Sequence, residues 1–170
     1  MSVRGFISFV LLAIVLAVLP VAVLSAADFP LADRVVVKKS ERSLLLMRGD
    51  KVIKRAKISL GLVPEGRKQE EGDFRTPEGK YRLTRRNPDS DFFLSIAVSY
   101  PDRNDVAQAS RRGVSPGGQI MIHGQPNKPR HGEQYYRMTD WTDGCIAVSN
   151  SDMVDIWLMT SSNTPIEILP

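Results

Sequence analysis

The chain has 170 residues, which is enough for one domain with a hydrophobic core and too few for two. Its content of 42% hydrophobic and 25% charged residues is ordinary for a globular protein. The formal net charge is +4, but aromatic residues do not interleave with the basic clusters. Together with the export signal described next, this argues against nucleic acid as a partner.

The N-terminal segment is strongly apolar. Residues 6–24 contain no charged side chain, Arg4 precedes them, and small residues follow up to Ala27. A basic start, an apolar centre and a small-residue exit predict a secretory signal peptide over residues 1–27. Because the apolar run approaches the roughly 20 residues that span a bilayer, an uncleaved membrane anchor is the alternative. In either case we expect residues 28–170 to work outside the cytoplasmic membrane.

The rest of the chain has mainly the pattern of short β-strands. In residues 52–60, for example, Ala56, Ile58 and Leu60 alternate with polar side chains. Residues 48–51 predict a hairpin turn, and Thr-Pro-Glu-Gly at 76–79 predicts a type I turn. The predicted strands are 34–39, 43–47, 52–60, 81–84, 93–100, 119–123 and 164–169.

Two helices are predicted between these strands. The first spans residues 102–112 and the second spans 151–160, with Ser149 or Ser151 as its N-cap. The polar stretch around His131, which contains Pro and Gly, predicts a loop. The fold prediction is therefore one mainly β domain over residues 28–170, sandwich- or barrel-like, with one or two short helices.

The chain contains a single cysteine, Cys145. Exported proteins usually use cysteines in pairs, so an unpaired one is a buried small residue, an intermolecular link or a reactive thiol. A reactive thiol needs a base, and imidazole is the common one. Of the two histidines, His123 ends a predicted strand and is followed by Gly124, whereas His131 lies in the predicted loop, where we expect a bystander.

Gly144, directly before the cysteine, suits the same chemistry. Attack on a carbonyl builds an oxyanion, and a glycine lets the amides of residues 143–145 converge on it. A zinc site built from both histidines and Cys145 is the metal alternative, but their spacing is not a usual zinc pattern. We predict neither a metal nor a cofactor.

Two motifs resemble those of a known family, the L,D-transpeptidase catalytic domain (YkuD-like domain). They are His123-Gly124 and Thr142-Asp143-Gly144-Cys145-Ile146. An upstream segment, Gly-Asp-Phe-Arg-Thr-Pro-Glu-Gly-Lys-Tyr at 72–81, is similar to a third family motif. The resemblance extends from about Val35 to Ile168 and implies a β-sandwich-like fold.

Carried over by position, the resemblance implies that Cys145 is the nucleophile, that His123 is its base and that the Gly124 carbonyl orients the imidazole. The residues that would shape the thiol loop and the oxyanion site are Thr142, Asp143 and Gly144. The chain departs from the family at Asp143, where a histidine is common, and at Ala147, where Arg or Asn is common. A carboxylate beside the thiol should disfavour the thiolate.

The resemblance also implies a substrate, the peptide stem of peptidoglycan, in the periplasm or cell envelope. Cys145 would attack the third stem residue, the terminal D-alanine would leave, and an acceptor amine would resolve the thioester. A second stem, a lipoprotein or a D-amino acid could supply that amine. The implied biological role is in cell-wall cross-linking, cell-wall remodelling or the determination of cell shape. Arg130 and Arg137 are candidate partners for the stem's carboxylates. The alternatives are a non-catalytic module that binds wall peptides and a hydrolase that uses the same pair.

Overall fold

The structure is a computed structural model that describes residues 29–170. The predicted signal peptide or membrane anchor, residues 1–27, lies outside the described residues. Among the helices of residues 29–170, none combines the length and hydropathy that a membrane crossing requires. The strands are β1 (Arg34–Lys38), β2 (Ser43–Arg48), β3 (Lys51–Lys57), β4 (Gly79–Ser90), β5 (Phe93–Val98), β6 (Met121–His123), β7 (Ile146–Ala147) and β8 (Pro165–Leu169). The helices are α1 (Arg103–Arg111), α2 (Glu133–Met138) and α3 (Asn150–Met159).

The eight strands follow the order β3-β2-β1-β8-β4-β5-β6-β7. Strands β2 and β3 form the predicted hairpin, in which Gly49 takes a left-handed φ of 56°. Strand β1 pairs antiparallel with β2 and parallel with β8. The side chains of Val35, Val37 and Leu44 are fully buried, because alternate residues of these strands face the core.

Strand β4 connects the two parts of the sheet. It is 12 residues long, pairs with β8 at its start and with β5 further along, and its register with β5 shifts twice. Single bridges, Ser59 to Ala147 and Gly61 to Thr142, join the segment after β3 to the opposite end of the sheet. The sheet is therefore bent and joined at its ends, and the predicted mainly β, sandwich- or barrel-like fold is confirmed.

Both predicted helices are present. Helix α1 begins with a capping box, in which Asp102 and Asp105 each accept the other's backbone N–H. Helix α3 begins at Ser149, whose hydroxyl oxygen accepts the N–H of Asp152, so Ser149 rather than Ser151 is the cap. Met153 and Ile156 are the fully buried residues of α3 and attach it to the core.

The prediction of one or two helices is wrong by one, since α2 forms within the predicted loop. Its N-cap, Gly132, makes no side-chain cap, and the helix has only six residues. Tertiary contacts hold it instead. Tyr136 is buried, and its carbonyl oxygen accepts hydrogen bonds from Ser59 Oγ at 2.9 Å and from Trp141 Nε1 at 3.1 Å.

The turn predicted at residues 76–79 is also wrong, because residues 76–78 are irregular and Gly79 begins β4. A buried lysine fixes this segment. Lys39 Nζ donates to the Thr76 carbonyl at 3.2 Å and to Glu78 Oε1 at 2.7 Å. The polar partners of one buried ammonium therefore decide the path of the chain here, which local turn preferences do not register.

Candidate active site

His123 and Cys145 come from neighbouring parallel segments of the sheet. His123 is the last residue of β6, and Cys145 directly precedes β7. Ile122 pairs with Ile146, and both are fully buried in the core. Because side chains alternate along a strand, His123 and Cys145 share the opposite face. Both line one cavity of about 880 Å³.

The His123 side chain is held in one orientation. His123 is only 4% exposed, and its Nδ1 lies 2.7 Å from the Gly124 carbonyl oxygen. A carbonyl only accepts, so Nδ1 carries the proton and Nε2 of the neutral ring is left as the basic atom. Burial lowers the pKa of His123 to about 4, against a smaller opposite effect of the Gly124 hydrogen bond. The imidazole is therefore neutral at neutral pH.

Aromatic side chains surround this imidazole. The ring centroids of Phe92 and Trp141 lie 4.7 and 5.6 Å from that of His123, and Trp141 meets it edge-on. Trp141 also packs edge-on against Tyr136 at 5.1 Å, and both Phe92 and Trp141 line the cavity. This apolar wall is the physical cause of the low histidine pKa, because it removes the water that would stabilise the imidazolium.

The Cys145 thiol is half-buried at the other side of the cavity. Its Sγ donates a weak hydrogen bond to the Gln119 carbonyl at 3.6 Å, and Gln119 itself has a left-handed φ of 57°. Burial raises the pKa of the thiol, and the charge of Asp143 adds to this; the Met121 backbone amide and, less strongly, Lys68 oppose it. The resting pair is therefore a thiol and a neutral imidazole rather than an ion pair.

The loop before the cysteine is fixed by its own side chains. Thr142 Oγ1 donates to the Cys145 carbonyl at 2.8 Å and accepts the Gly144 amide at 3.2 Å. Gly144 has a φ of 125°, and a Cβ there would lie 2.7 Å from the Arg75 carbonyl oxygen. Within residues 29–170 the amides of Asp143 and Cys145 have no hydrogen-bond acceptor.

The other sequence candidates lie elsewhere. His131 stacks on Tyr135 at 4.1 Å and lines a separate groove, which Arg130 also lines. Arg137 lies on α2 near Glu133, at 3.7 Å, and is not a lining residue of the main cavity. Across residues 29–170, no group of three or more His, Cys, Asp or Glu side chains could hold a metal ion.

Among the lining residues that sequence reasoning missed are Phe92, Gln119 and Lys68. Lys68 is the only lysine or arginine that lines the cavity in the described part of the chain, and its side chain is 4% exposed. Lys68 lies in a charged stretch of the sequence, and such a pattern is typical of a solvated surface. Asp73, its partner at 2.7 Å, belongs to the third family motif, and that position was the available signal.

The class of protein is a mainly β domain of the L,D-transpeptidase type, with a cysteine and a histidine in one cavity. A sequence comparison matches residues 32–168 to the family described as the L,D-transpeptidase catalytic domain (YkuD). The chain belongs to this family, and the predicted family is confirmed.

Individual relatives are similar over part of their length. YafK of Escherichia coli strain K12, named as an L,D-transpeptidase, is 39% identical over 70 residues, 40% of this chain and 25% of YafK. The helical cell shape determining protein Pgp2 from Campylobacter jejuni is 25% identical with a TM-score of 0.59, covering 83% of this chain and 50% of Pgp2. The L,D-transpeptidase from Mycobacterium smegmatis, 13% identical, shares the fold with a TM-score of 0.53, over 80% of this chain and 58% of that one. The chain thus spans a quarter to little more than half of these relatives.

Proposed function

We propose that this chain is an exported, cysteine-dependent L,D-transpeptidase that acts on peptidoglycan stem peptides. One observation carries the proposal: a thiol and an imidazole with a free Nε2 line the same cavity, in a chain with no other cysteine. The proposed roles are Cys145 as nucleophile, His123 as base and the Gly124 carbonyl as the group that orients the imidazole. Membership of the L,D-transpeptidase family supports this assignment.

The proposed reaction begins from neutral partners. His123 Nε2 takes the thiol proton as Cys145 Sγ attacks the carbonyl carbon of the third stem residue. The Gly124 carbonyl, which accepts the Nδ1 proton at 2.7 Å, stabilises the imidazolium that forms. When the bond to the terminal D-alanine breaks, His123 returns the proton to the leaving amine, and a thioester remains on Cys145. An acceptor amine then displaces the thiol.

The oxyanion of the tetrahedral intermediate needs preorganised donors. The Gly144 amide is already occupied by Thr142, so we assign this role to the amides of Cys145 and Asp143, which are free of acceptors within residues 29–170. Thr142 and Gly144 support them by fixing the loop. Asp143 is exposed, and its charge opposes ionisation of the thiol. A resting thiol that ionises only during attack fits that environment.

Location and partners follow from the substrate. We propose that residues 1–27 direct export and that residues 28–170 act in the periplasm or cell envelope. The donor is a stem peptide, and the acceptor is a second stem, a lipoprotein or a D-amino acid. Pgp2, a structural relative, is a cell shape determining protein, which supports a role in wall remodelling and cell shape.

A carbapenem tests the nucleophile directly. We expect intact-protein mass spectrometry to show one covalent adduct per chain, because an acylating β-lactam reports on the thiol and its base together. The Cys145→Ala variant, compared at equal folded concentration, should show none. A folded wild-type chain that forms no adduct would contradict the assignment.

Incubation with purified disaccharide-tetrapeptide separates the reaction types. Cross-linked products, or products that carry an added D-amino acid, demonstrate transfer, whereas tripeptide with free D-alanine alone demonstrates hydrolysis. Saturable binding without any product would identify the non-catalytic module and overturn the enzymatic proposal.

A further inference from the structure

Lys68 has the features of a built ligand contact within the cavity. Its ammonium donates to the Glu70 carbonyl at 2.9 Å and to Asp73 Oδ1 at 2.7 Å. A lysine ammonium has three N–H donors, and the third has no acceptor within residues 29–170. Only 4% of the side chain's surface is exposed, yet Lys68 lines the cavity that holds the thiol. A buried ammonium with a spare donor is costly unless a ligand completes it.

Asp73 does not neutralise this cation completely. Its carboxylate also accepts the backbone amides of Gln69 at 2.7 Å, Glu70 at 3.2 Å and Arg75 at 3.1 Å. Three amide dipoles share the negative charge with Lys68, so part of the ammonium's charge remains available on the cavity side. The charge of Lys68 reaches the thiol, since it lowers the pKa of Cys145, although by less than Asp143 raises it.

Two other carboxylates line the same cavity, Glu71 and Asp143, and they would repel an anion. Both residues are exposed, so water and salt screen their charges. Glu71 also accepts the Ser115 hydroxyl at 2.9 Å, which draws it towards that loop. The buried Lys68 is screened much less than these exposed carboxylates, and it is the one lysine or arginine among the residues of 29–170 that line the cavity.

We propose that Lys68 binds a carboxylate of the donor stem peptide and thereby determines specificity for an acidic stem. The proposal rests on the proposed function, since it names the contact that positions that substrate. The ligand chemistry is a carboxylate, and the second, third and fourth stem residues are its possible sources. A charge-assisted N–H···O contact from a fixed donor gives both affinity and orientation.

A mutant cycle between Lys68 and the substrate tests this. Synthetic tetrapeptides with one carboxylate at a time converted to the amide are compared on wild-type protein and on Lys68→Met. For one carboxylate, amidation should lower the wild-type kcat/KM about 10- to 100-fold and have little effect on Lys68→Met. The exposed Lys80, 84% accessible, gives a matched control, Lys80→Met, that should behave as wild type. Equal penalties in wild type and Lys68→Met for all three carboxylates would overturn the proposal.

A second measurement covers the case in which Lys68→Met fails to fold. In full-length Cys145→Ala protein with ¹³Cε-labelled lysine, the Lys68 resonance should shift when the acid tetrapeptide is added. It should not shift with the amidated tetrapeptide that shows the lowered kcat/KM on wild-type protein. A peptide that binds while the Lys68 resonance stays unchanged would refute the carboxylate contact. Peptide binding is measured on Cys145→Ala, which has no nucleophile, so this result does not depend on catalysis. The release of D-alanine by wild-type protein tests the proposed function separately.

Discussion

The two parts of the sheet contribute differently to stability and to the candidate chemistry. Strands β1 and β8 bury alternate aliphatic side chains and β2 buries a continuous run from Leu44 to Met47; Val35, Val37 and Leu44 are fully enclosed. Strands β6 and β7 have only three and two residues, and the site around them depends on individual polar contacts, such as that of Thr142 with Cys145. Buried aliphatic side chains stabilise both parts, Ile122 and Ile146 included, whereas the candidate chemistry lies only around β6 and β7. Substitutions should therefore separate the two properties.

The largest effect is expected for Cys145→Ala. Loss of the nucleophile should lower the rate of D-alanine release at least about 1,000-fold, since no other thiol is present. The hydrogen bond from the thiol to the Gln119 carbonyl is weak, so the melting temperature should change little. Release of D-alanine and thermal unfolding measure the two properties. A variant that keeps more than a tenth of the activity would contradict the assigned nucleophile.

The opposite result is expected for Leu44→Ala in β2. Leu44 is fully buried, so its truncation should lower the free energy of unfolding by about 2–5 kcal/mol while kcat per folded molecule stays unchanged. Leu158→Ala is the matched control. Leu158 is 44% exposed on α3, so its truncation should change the free energy of unfolding only slightly. Urea unfolding gives both values. Similar losses at the two leucines would contradict the stabilising role assigned to the buried face of β2.

Acid should weaken the fold through His123. The unfolded chain binds a proton at the ordinary histidine pKa of 6.5, whereas the folded state resists protonation until its pKa of about 4. Stability is therefore lost as the pH falls through this window, by about 3 kcal/mol in total from this group. Wild-type protein and His123→Asn are compared by urea unfolding at pH 7 and pH 4.5. The pH-dependent loss should be about 2 kcal/mol larger in wild type; identical losses would show that His123 does not titrate in this way.

How much of this was predictable depends on the kind of contact involved. The alternation of Ala56, Ile58 and Leu60 correctly predicts that all three are buried, although the strand itself ends at Lys57 and not at residue 60. Helix α2 was missed because contacts of Tyr136 with distant residues, not its own caps, stabilise it. Of the site, the motifs indicated the histidine and the cysteine. The approach of Lys68 depends on a loop folded around Asp73, which no spacing rule encodes.

Gly144→Ala should disturb the site with only a moderate loss of stability. The left-handed φ of 125° and a Cβ 2.7 Å from the Arg75 carbonyl both require the loop to move. We expect kcat/KM to fall about 10- to 100-fold, because the thiol and the amides beside it lose their alignment. Gly49→Ala is the matched control, with a φ of 56° but no atom within 4 Å of the added Cβ. It should cost about 1 kcal/mol of stability and leave activity intact; equal effects on activity would contradict a local role for Gly144.

The smallest effect is expected for Asp143→Asn, which sharpens the comparison within the site itself. Burial is the main cause of the raised thiol pKa, and the charge of Asp143 adds to it, so the neutral variant should have a lower thiol pKa than wild type. Asp143 is exposed, and solvent screening limits the gain in the rate of alkylation by iodoacetamide to less than about fivefold at a given pH. The pH profile of alkylation measures this, with Asp89→Asn, a change at another exposed position, as the control. A thiol that reacts more slowly in Asp143→Asn than in wild type would mean that Asp143 assists ionisation, and the neutral thiol–imidazole resting state would then have to be replaced by one in which the carboxylate takes part.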